Sequence, residues 1–247
     1  MIELDEIDST NSFLKTYQPL RPVNLILVTA EFQSAGRGQI GNSWEAAKGK
    51  NLLFSLLFSP AQLLAQDMFV LSEAIALSVR QAIADVLTEH GVCAEVSVKW
   101  PNDIYVGQKK IAGILIENDL MGRQIGHSII GCGVNINQES FVSDAPNPVS
   151  VRQLVGVEVE RRFVLEDIIE HFTHWCELIE RGDYESLHQA YMSVLFRREG
   201  FHRYRDSNGR NFMAEIAAVK RSGHLLLRDS EGQMRTYAFK EVEYVLD

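Results

Sequence analysis

The sequence predicts an α+β protein on three observations. Strand candidates cluster instead of alternating one for one with helices, two long amphipathic helices stand apart from them, and after about residue 195 the texture changes to short strands split by turn residues. At 247 residues the chain can bury a sizeable core, and the change of texture divides it into a larger part over 1–195 and a small barrel-like β domain over 196–247.

Residues 2–8 alternate like a first strand, and Ser9 or Thr10 can cap a short helix running to about Tyr17, each offering a side-chain oxygen to orphan N–H groups. Residues 24–32 and 51–58, NLILVTAEF and NLLFSLLF, read as buried strands. Leu71, Ile75, Val79, Ile83 and Val86 recur at helical spacing over 68–90, with Gly91 as the stop. AEVSVKW, DIYV and KIAGILIE follow as strands, the last two joined by a hairpin at Gly107-Gln108, and GHSIIGCGVNIN (126–137) is a fourth. A short helix near 150, an amphipathic helix through Leu165, Ile168, Phe172, Cys176 and Ile179, and a helix over 184–195 complete the larger part. Beyond it FHRYRD, NFMAEIAAVKR, HLLLRD and MRTYAF alternate with SNG, SG and EG turns.

A net charge of −9 leaves no strong basic field, so nucleic acid is not the expected partner. Cys93, Cys132 and Cys176 lie far apart with no CxxC spacing, the acidic start MIELDEIDST has no signal-peptide pattern, and the apolar run NLLFSLLF is too short to span a bilayer. The expected setting is cytoplasmic, away from membranes. His171 and His174 lie three apart on a helix, but no cysteine or carboxylate trio completes a metal site, so none is assigned.

Residues 36–41, GRGQIG, match the G-x-G-x-x-G expression for dinucleotide binding, yet no helix follows and no acidic residue stands about 20 positions on. What remains is a loop whose glycines allow close backbone approach and whose Arg37 offers a fork of donors for a carboxylate or phosphate; a surface turn with a solvated arginine is the plainer alternative. In GCGVNIN a period of two puts Gly131, Gly133 and Asn135 on one face and Ile130, Cys132 and Val134 on the other. Bare positions on one face suit a ligand lying against the strand, or else a bulge or tight sheet packing. In KWPNDIYVGQKKIAGILIE, Pro101 turns one strand into the next and presents Asn102 and Asp103; Lys110 then opens the strand that carries Gly113. A lysine among buried residues calls for an anionic partner, whereas Lys109 is expected in solvent.

Ser9-Thr10-Asn11, EFQSAGRGQIGNSW, KWPNDIYVGQKKIAGILIE and GCGVNIN together, in order and spacing, resemble the biotin protein ligases over nearly the whole chain. The resemblance implies a mixed-sheet catalytic domain of the biotin/lipoate ligase type followed by a small SH3-like β-barrel. It implies an enzyme, a biotin–[acetyl-CoA-carboxylase] ligase, that joins biotin and ATP as biotinyl-5'-AMP with Mg²⁺ and passes biotin to one lysine of biotin carboxyl carrier protein. Carried over by motif position, Ser9, Thr10, Asn11 and Gln33 serve the polar end of biotin. Gly36 and Arg37 belong to the ligand loop, Trp44 walls the biotin slot or else only pins that loop, and Gly113, Ile114, Leu115, Gly131 and Gly133 line the slot. Lys110 corresponds to the catalytic lysine, acting with Arg37 and Asp103. Arg37, Gln39, Asn102, Asp103, Lys110 and Asn135 face the nucleotide, and the segment 144–150 approaches adenine.

Many relatives carry further arginines in the loop, in a pattern like GRGRRGRxW, where this sequence has Gln39, Ile40 and Asn42 before Trp44; the intermediate is therefore expected to leak faster. Eight residues precede Ser9, too few for the DNA-binding module of some members, so a monofunctional ligase is expected. Dimerisation through sheet edges, common in the family, is left open. The competing readings are a lipoate or octanoate ligase and a non-catalytic biotin-binding regulatory module.

Overall fold

The computed structural model of the chain describes residues 1–21, 23–39, 41–142 and 147–246. Strands β1 (Ile2–Ile7), β2 (Leu25–Gln33), β3 (Leu52–Phe58), β4 (Val96–Lys99), β5 (Asp103–Val106), β6 (Lys109–Met121) and β7 (Gln124–Val134) form one sheet in the order β1-β2-β3-β7-β6-β5-β4. β1 and β2 pair in parallel and the remaining neighbours pair antiparallel, which makes the sheet mixed, as expected.

Helices α1 (Thr10–Thr16), α2 (Phe69–Glu89), α3 (Val151–Val155), α4 (Arg161–Glu180) and α5 (Tyr184–Ser193) match the predicted positions within a few residues. The predicted stripe of α2, from Leu71 to Val86, is buried against Phe54, Leu56, Ile130 and Val134 of the sheet, and Ile168, Phe172 and Cys176 of α4 join the same cluster. Each such side chain contributes about 1.5–3 kcal/mol when fully removed from water. The other face is covered by α1, where Leu14 packs on Val28 and Ile129. Gly91 takes φ +72° and ends α2 as a left-handed stop.

Strands β8 (His202–Asp206), β9 (Asn211–Val219), β10 (Leu225–Asp229), β11 (Met234–Tyr237) and β12 (Val242–Tyr244) form a second, antiparallel sheet in the order β11-β10-β9-β8-β12. β12 is an addition to the sequence reading; three residues are too short to show a period. The two sheets share buried cluster residues, among them Tyr204, Leu225 and Val242, and residues 194–196 hydrogen-bond along β4, with Val98 N donating to Val194 O and Phe196 N to Val98 O. The second sheet is thereby held against the β4–β5 edge of the first.

Candidate active site

The strand-to-strand corner Lys99–Asp103 is fixed from two sides. Asn102 donates its side-chain amide to the carbonyl of Ile114 and accepts from Ile114 N through its own carbonyl, while Trp100 Nε1 donates to Gly223 O at 2.8 Å. Asp103 then meets Lys110, Oδ1 to Nζ, at 2.6 Å, which supplies the anionic partner expected of a lysine in this setting; Lys109 is exposed. The Lys110 ammonium also lies 5.6 Å from the ring of Trp44.

Gly113 and Gly133 are direct cross-strand neighbours on β6 and β7, and Leu115 faces Gly131. A Cβ at Gly113 or Gly133 would run into the indole of Trp44, and one at Gly131 into the side-chain amide of Asn11. The bare face predicted from GCGVNIN therefore exists, but two side chains of the chain itself lie on it. Trp44 Nε1 is buried without a hydrogen-bond partner among the described residues.

The structure departs from the sequence reading at Asn135, which lies beyond the end of β7 and turns away from the glycine face. Its side-chain amide donates to Val149 O at 3.1 Å, and it is absent from the cavity wall. The physical reason is that β7 stops at Val134, so the period of two no longer governs Asn135. Gly36 is also set back, because the carbonyl of Trp44 crosses where its Cβ would stand. Ile114 borders the cavity, yet its side chain belongs to the buried core, as strand alternation between Gly113 and Leu115 requires.

At the start of α1 the hydroxyls are not spent on capping the helix. Ser9 occupies the N-cap position without a side-chain cap hydrogen bond, and Thr10 N and Oγ1 both donate to Gln33 Oε1, at 2.7 and 3.0 Å. Ser55 Oγ lies 2.6 Å from both Thr10 Oγ1 and Asn11 Oδ1. Asn11 Nδ2 donates to Glu117 Oε2 at 3.0 Å, and Glu117 also takes Lys15 at 2.7 Å and Arg37 through both terminal nitrogens at 3.0 and 2.8 Å. Burial alone would push the Glu117 carboxyl up, but the hydrogen bonds from Arg37, Lys15 and Asn11 and the Arg37 charge outweigh it and hold it at about 2.

Arg37 hangs from a hairpin in which Trp44 N donates to Gly36 O and Gly38 N to Asn42 O, both at 2.9 Å. These parts converge on a cavity of about 860 Å³ whose wall includes Ser9, Thr10, Asn11, Gln33, Arg37, Gln39, Trp44, Asn102, Asp103, Lys110, Gly113, Leu115, Gly131 and Gly133. Asn147 joins the wall, and Asn147 O accepts from Lys110 N at 2.8 Å; Ile40 and residues 144–146 lie outside the described residues.

The sequence reading missed four contributors. Ser55 was visible as a lone hydroxyl inside NLLFSLLF, and Glu117 as a carboxylate at the end of an apolar run. Lys99, held 5.2 Å from the rings of both Tyr105 and Tyr244, also lines the cavity, and burial lowers its pKa. Lys240 reaches the wall from the second sheet, and no pattern in the sequence announces it.

A sequence model of the Biotin/lipoate A/B protein ligase family matches residues 4–135. The Bifunctional ligase/repressor BirA of Bacillus spizizenii is 29% identical over 217 residues, covering 86% of this chain and 64% of the relative, so the chain spans less than two thirds of that protein. The Biotin–[acetyl-CoA-carboxylase] ligase of Paracoccus denitrificans is 29% identical over 77% of this chain and 78% of its own length. In fold, the biotin protein ligase of Aquifex aeolicus, solved in complex with biotin and ATP, superposes with a TM-score of 0.77 at 23% identity over 99% of this chain and 98% of that one.

Proposed function

The chain belongs to the biotin/lipoate A/B protein ligase family, and from that premise we propose that it activates biotin with ATP and transfers the biotinyl group to a lysine of biotin carboxyl carrier protein. The observation that carries this reading is the convergence of Lys110, Arg37, the polar side chains of α1 and the Gly113–Gly133 patch on one cavity. The name of the Paracoccus relative, which specifies acetyl-CoA-carboxylase, supports a carboxylase as the source of the acceptor.

In the first step a carboxylate oxygen of biotin attacks the α-phosphorus of ATP; a new P–O bond forms, the bond to the β-phosphate breaks, and pyrophosphate leaves. Both reactants are anionic, so the step needs cations already in place, and Lys110 is the fixed one. Thr10, Asn11 and Gln33 offer donors and acceptors for a ureido ring. In the second step the neutral amine of the acceptor lysine attacks the acyl carbon, the bond to AMP breaks, and the amine loses its proton. Magnesium would arrive with the nucleotide. The cavity wall offers it Asp103, which is engaged by Lys110, and Glu243, a donor set that suits an ion held mainly through phosphate oxygens and water.

Mass spectrometry of a carrier domain incubated with the protein, MgATP and either biotin or lipoate tests the proposal. Addition of a biotinyl group is the expected result. Lipoyl addition would move the chain to the other branch of its family, and binding of biotin without transfer would make it a regulatory module.

A further inference from the structure

Ser55 is the single polar residue of the apolar strand β3, where it stands opposite Gly131 of β7. It is fully buried and absent from the cavity wall, so its hydroxyl depends on protein partners alone. A buried hydroxyl without partners is costly, and this one has two, Thr10 Oγ1 and Asn11 Oδ1, each at 2.6 Å. Both partners border the cavity that Ser55 does not reach.

The hydrogens of the cluster follow by elimination. Glu117 is ionised near neutral pH and can only accept, so Asn11 turns its amide nitrogen to the carboxylate and its carbonyl oxygen to Ser55. A carbonyl oxygen cannot donate, and the one hydrogen of Ser55 Oγ therefore goes to Asn11. Thr10 Oγ1 then has two acceptors in reach, Ser55 Oγ at 2.6 Å and Gln33 Oε1 at 3.0 Å, and a single hydrogen for them. Whichever acceptor takes it, Thr10 shows the cavity a lone pair. Gln33 Oε1 accepts from Thr10 N as well, at 2.7 Å, which leaves the amide nitrogen as the group Gln33 can offer a ligand.

We propose that Ser55 is a positioning residue for biotin recognition: by committing its own hydrogen to Asn11 and competing for that of Thr10, it fixes Thr10 as an acceptor beside the Gln33 donor. The ligand that fits such a pair carries an N–H next to a carbonyl, as a ureido ring does; a dithiolane ring has neither. A site built on paired hydrogen bonds rejects analogues that lack the matching groups, so a residue that touches no ligand takes part in the choice of acid. This rests on the biotin reading above.

Isothermal titration of biotin into the parent, Ser55→Ala, Thr10→Val and the double variant tests it. Ser55→Ala should bind biotin about tenfold more weakly, the upper range for one neutral hydrogen bond, and in turnover KM for biotin should rise with kcat held. Desthiobiotin, which keeps the ureido ring, should lose the same factor. Because Ser55 acts through Thr10, the two losses should not add: in the Thr10→Val background Ser55→Ala should change biotin affinity by less than twofold, the behaviour of coupled neighbours. Ser55→Cys, close in size with a weaker donor, should fall between parent and alanine, and it takes the place of Ser55→Ala in the cycle if the alanine variant does not fold. Unchanged biotin affinity in the Ser55 variants, or losses that add in the double variant, overturns the assignment while leaving adenylation intact. A parent that does not bind biotin overturns the biotin reading, and this assignment with it.

Discussion

Lys110 and Arg37 each end on a carboxylate, yet the two ion pairs are anchored in different ways. Lys110 and Asp103 sit on adjacent strands, β6 and β5, and meet at 2.6 Å with side chains 24% and 18% exposed. Both backbones are held in the ladder. Arg37 belongs to a hairpin and Glu117 to β6, so their pair ties a loop to the sheet, and at 38% exposure Arg37 is the wetter partner. The floor of the cavity thus supplies charge fixed in advance, the arrangement that most favours a transition state. The loop supplies a charge that is more exposed and anchored through a carboxylate of the sheet.

The sharpest way to break that comparison is at the floor. Lys110→Ala should slow formation of the adenylate by a factor corresponding to about 2.7–4 kcal/mol, the usual cost of one oriented charge-stabilising donor. Biotin affinity should fall far less if, as proposed, Lys110 acts on the charge that develops in the adenylation step. Pyrophosphate release beside a direct biotin titration separates the two quantities, and near-normal turnover would remove this lysine from the chemistry.

Next in size is the bare patch beneath Trp44. Gly133→Ala puts a methyl group into the space of the indole, and overfilling of this kind costs about 1–3 kcal/mol. Because β6 and β7 cannot part, Trp44 has to move, and biotin affinity should drop with it while the fold persists. Urea unfolding and a biotin titration give the two numbers; a variant that binds as the parent does would show that the patch only accommodates packing.

How much of this was legible beforehand follows from the range of each interaction. The α2 stripe, the Gly107 hairpin and the need of Lys110 for an anion are local or periodic, and the sequence displays them. The Arg37–Glu117 pair spans 80 positions and Asn11–Glu117 spans 106; neither partner carries a local sign of the other. Ser9 and Thr10 are ambiguous in sequence because a cap and a ligand site call for the same hydroxyls, and the bond to Gln33 shows that Thr10 Oγ1 is not used as a cap. Asn135 was misplaced because the end of a strand is set by its partners: Asn135 N donates to Ile111 O while its side chain goes to Val149. The resemblance supplied the roles of the motifs, but Lys240 lies outside every motif and became visible once the second sheet was folded against the first.

A smaller effect sharpens the loop side. Glu117→Gln leaves Arg37 without its carboxylate and should cost about 1 kcal/mol near neutral pH, the upper range for an exposed ion pair and fitting for a small network. The folded carboxyl titrates at about 2 against an ordinary 4.5. Its contribution is therefore complete above about pH 4.5 and is lost as the pH falls towards 2, so the stability gap between parent and variant should narrow over that interval. Denaturation midpoints at pH 7, 4 and 3 measure it, and a gap independent of pH would mean that Glu117 is not the anchor of the network.

The smallest expected effect bears on retention of the intermediate. Gln39 lines the cavity on the same hairpin as Arg37, and on the proposed reading a guanidinium there would add a second loop cation near the phosphate of biotinyl-adenylate. An exposed ion pair contributes about 0.2–1 kcal/mol, so Gln39→Arg should slow release of the adenylate by a few-fold at most. The gain should shrink with added salt, since the contact is screened in solvent. Lys110, to which the chemical step is assigned in the proposal, lies on β6 and not on this hairpin, so the rate of pyrophosphate release in the first turnover should stay at the parent value. A changed first turnover with unchanged release would reverse the division drawn here, placing the hairpin in the chemical step and the floor in retention.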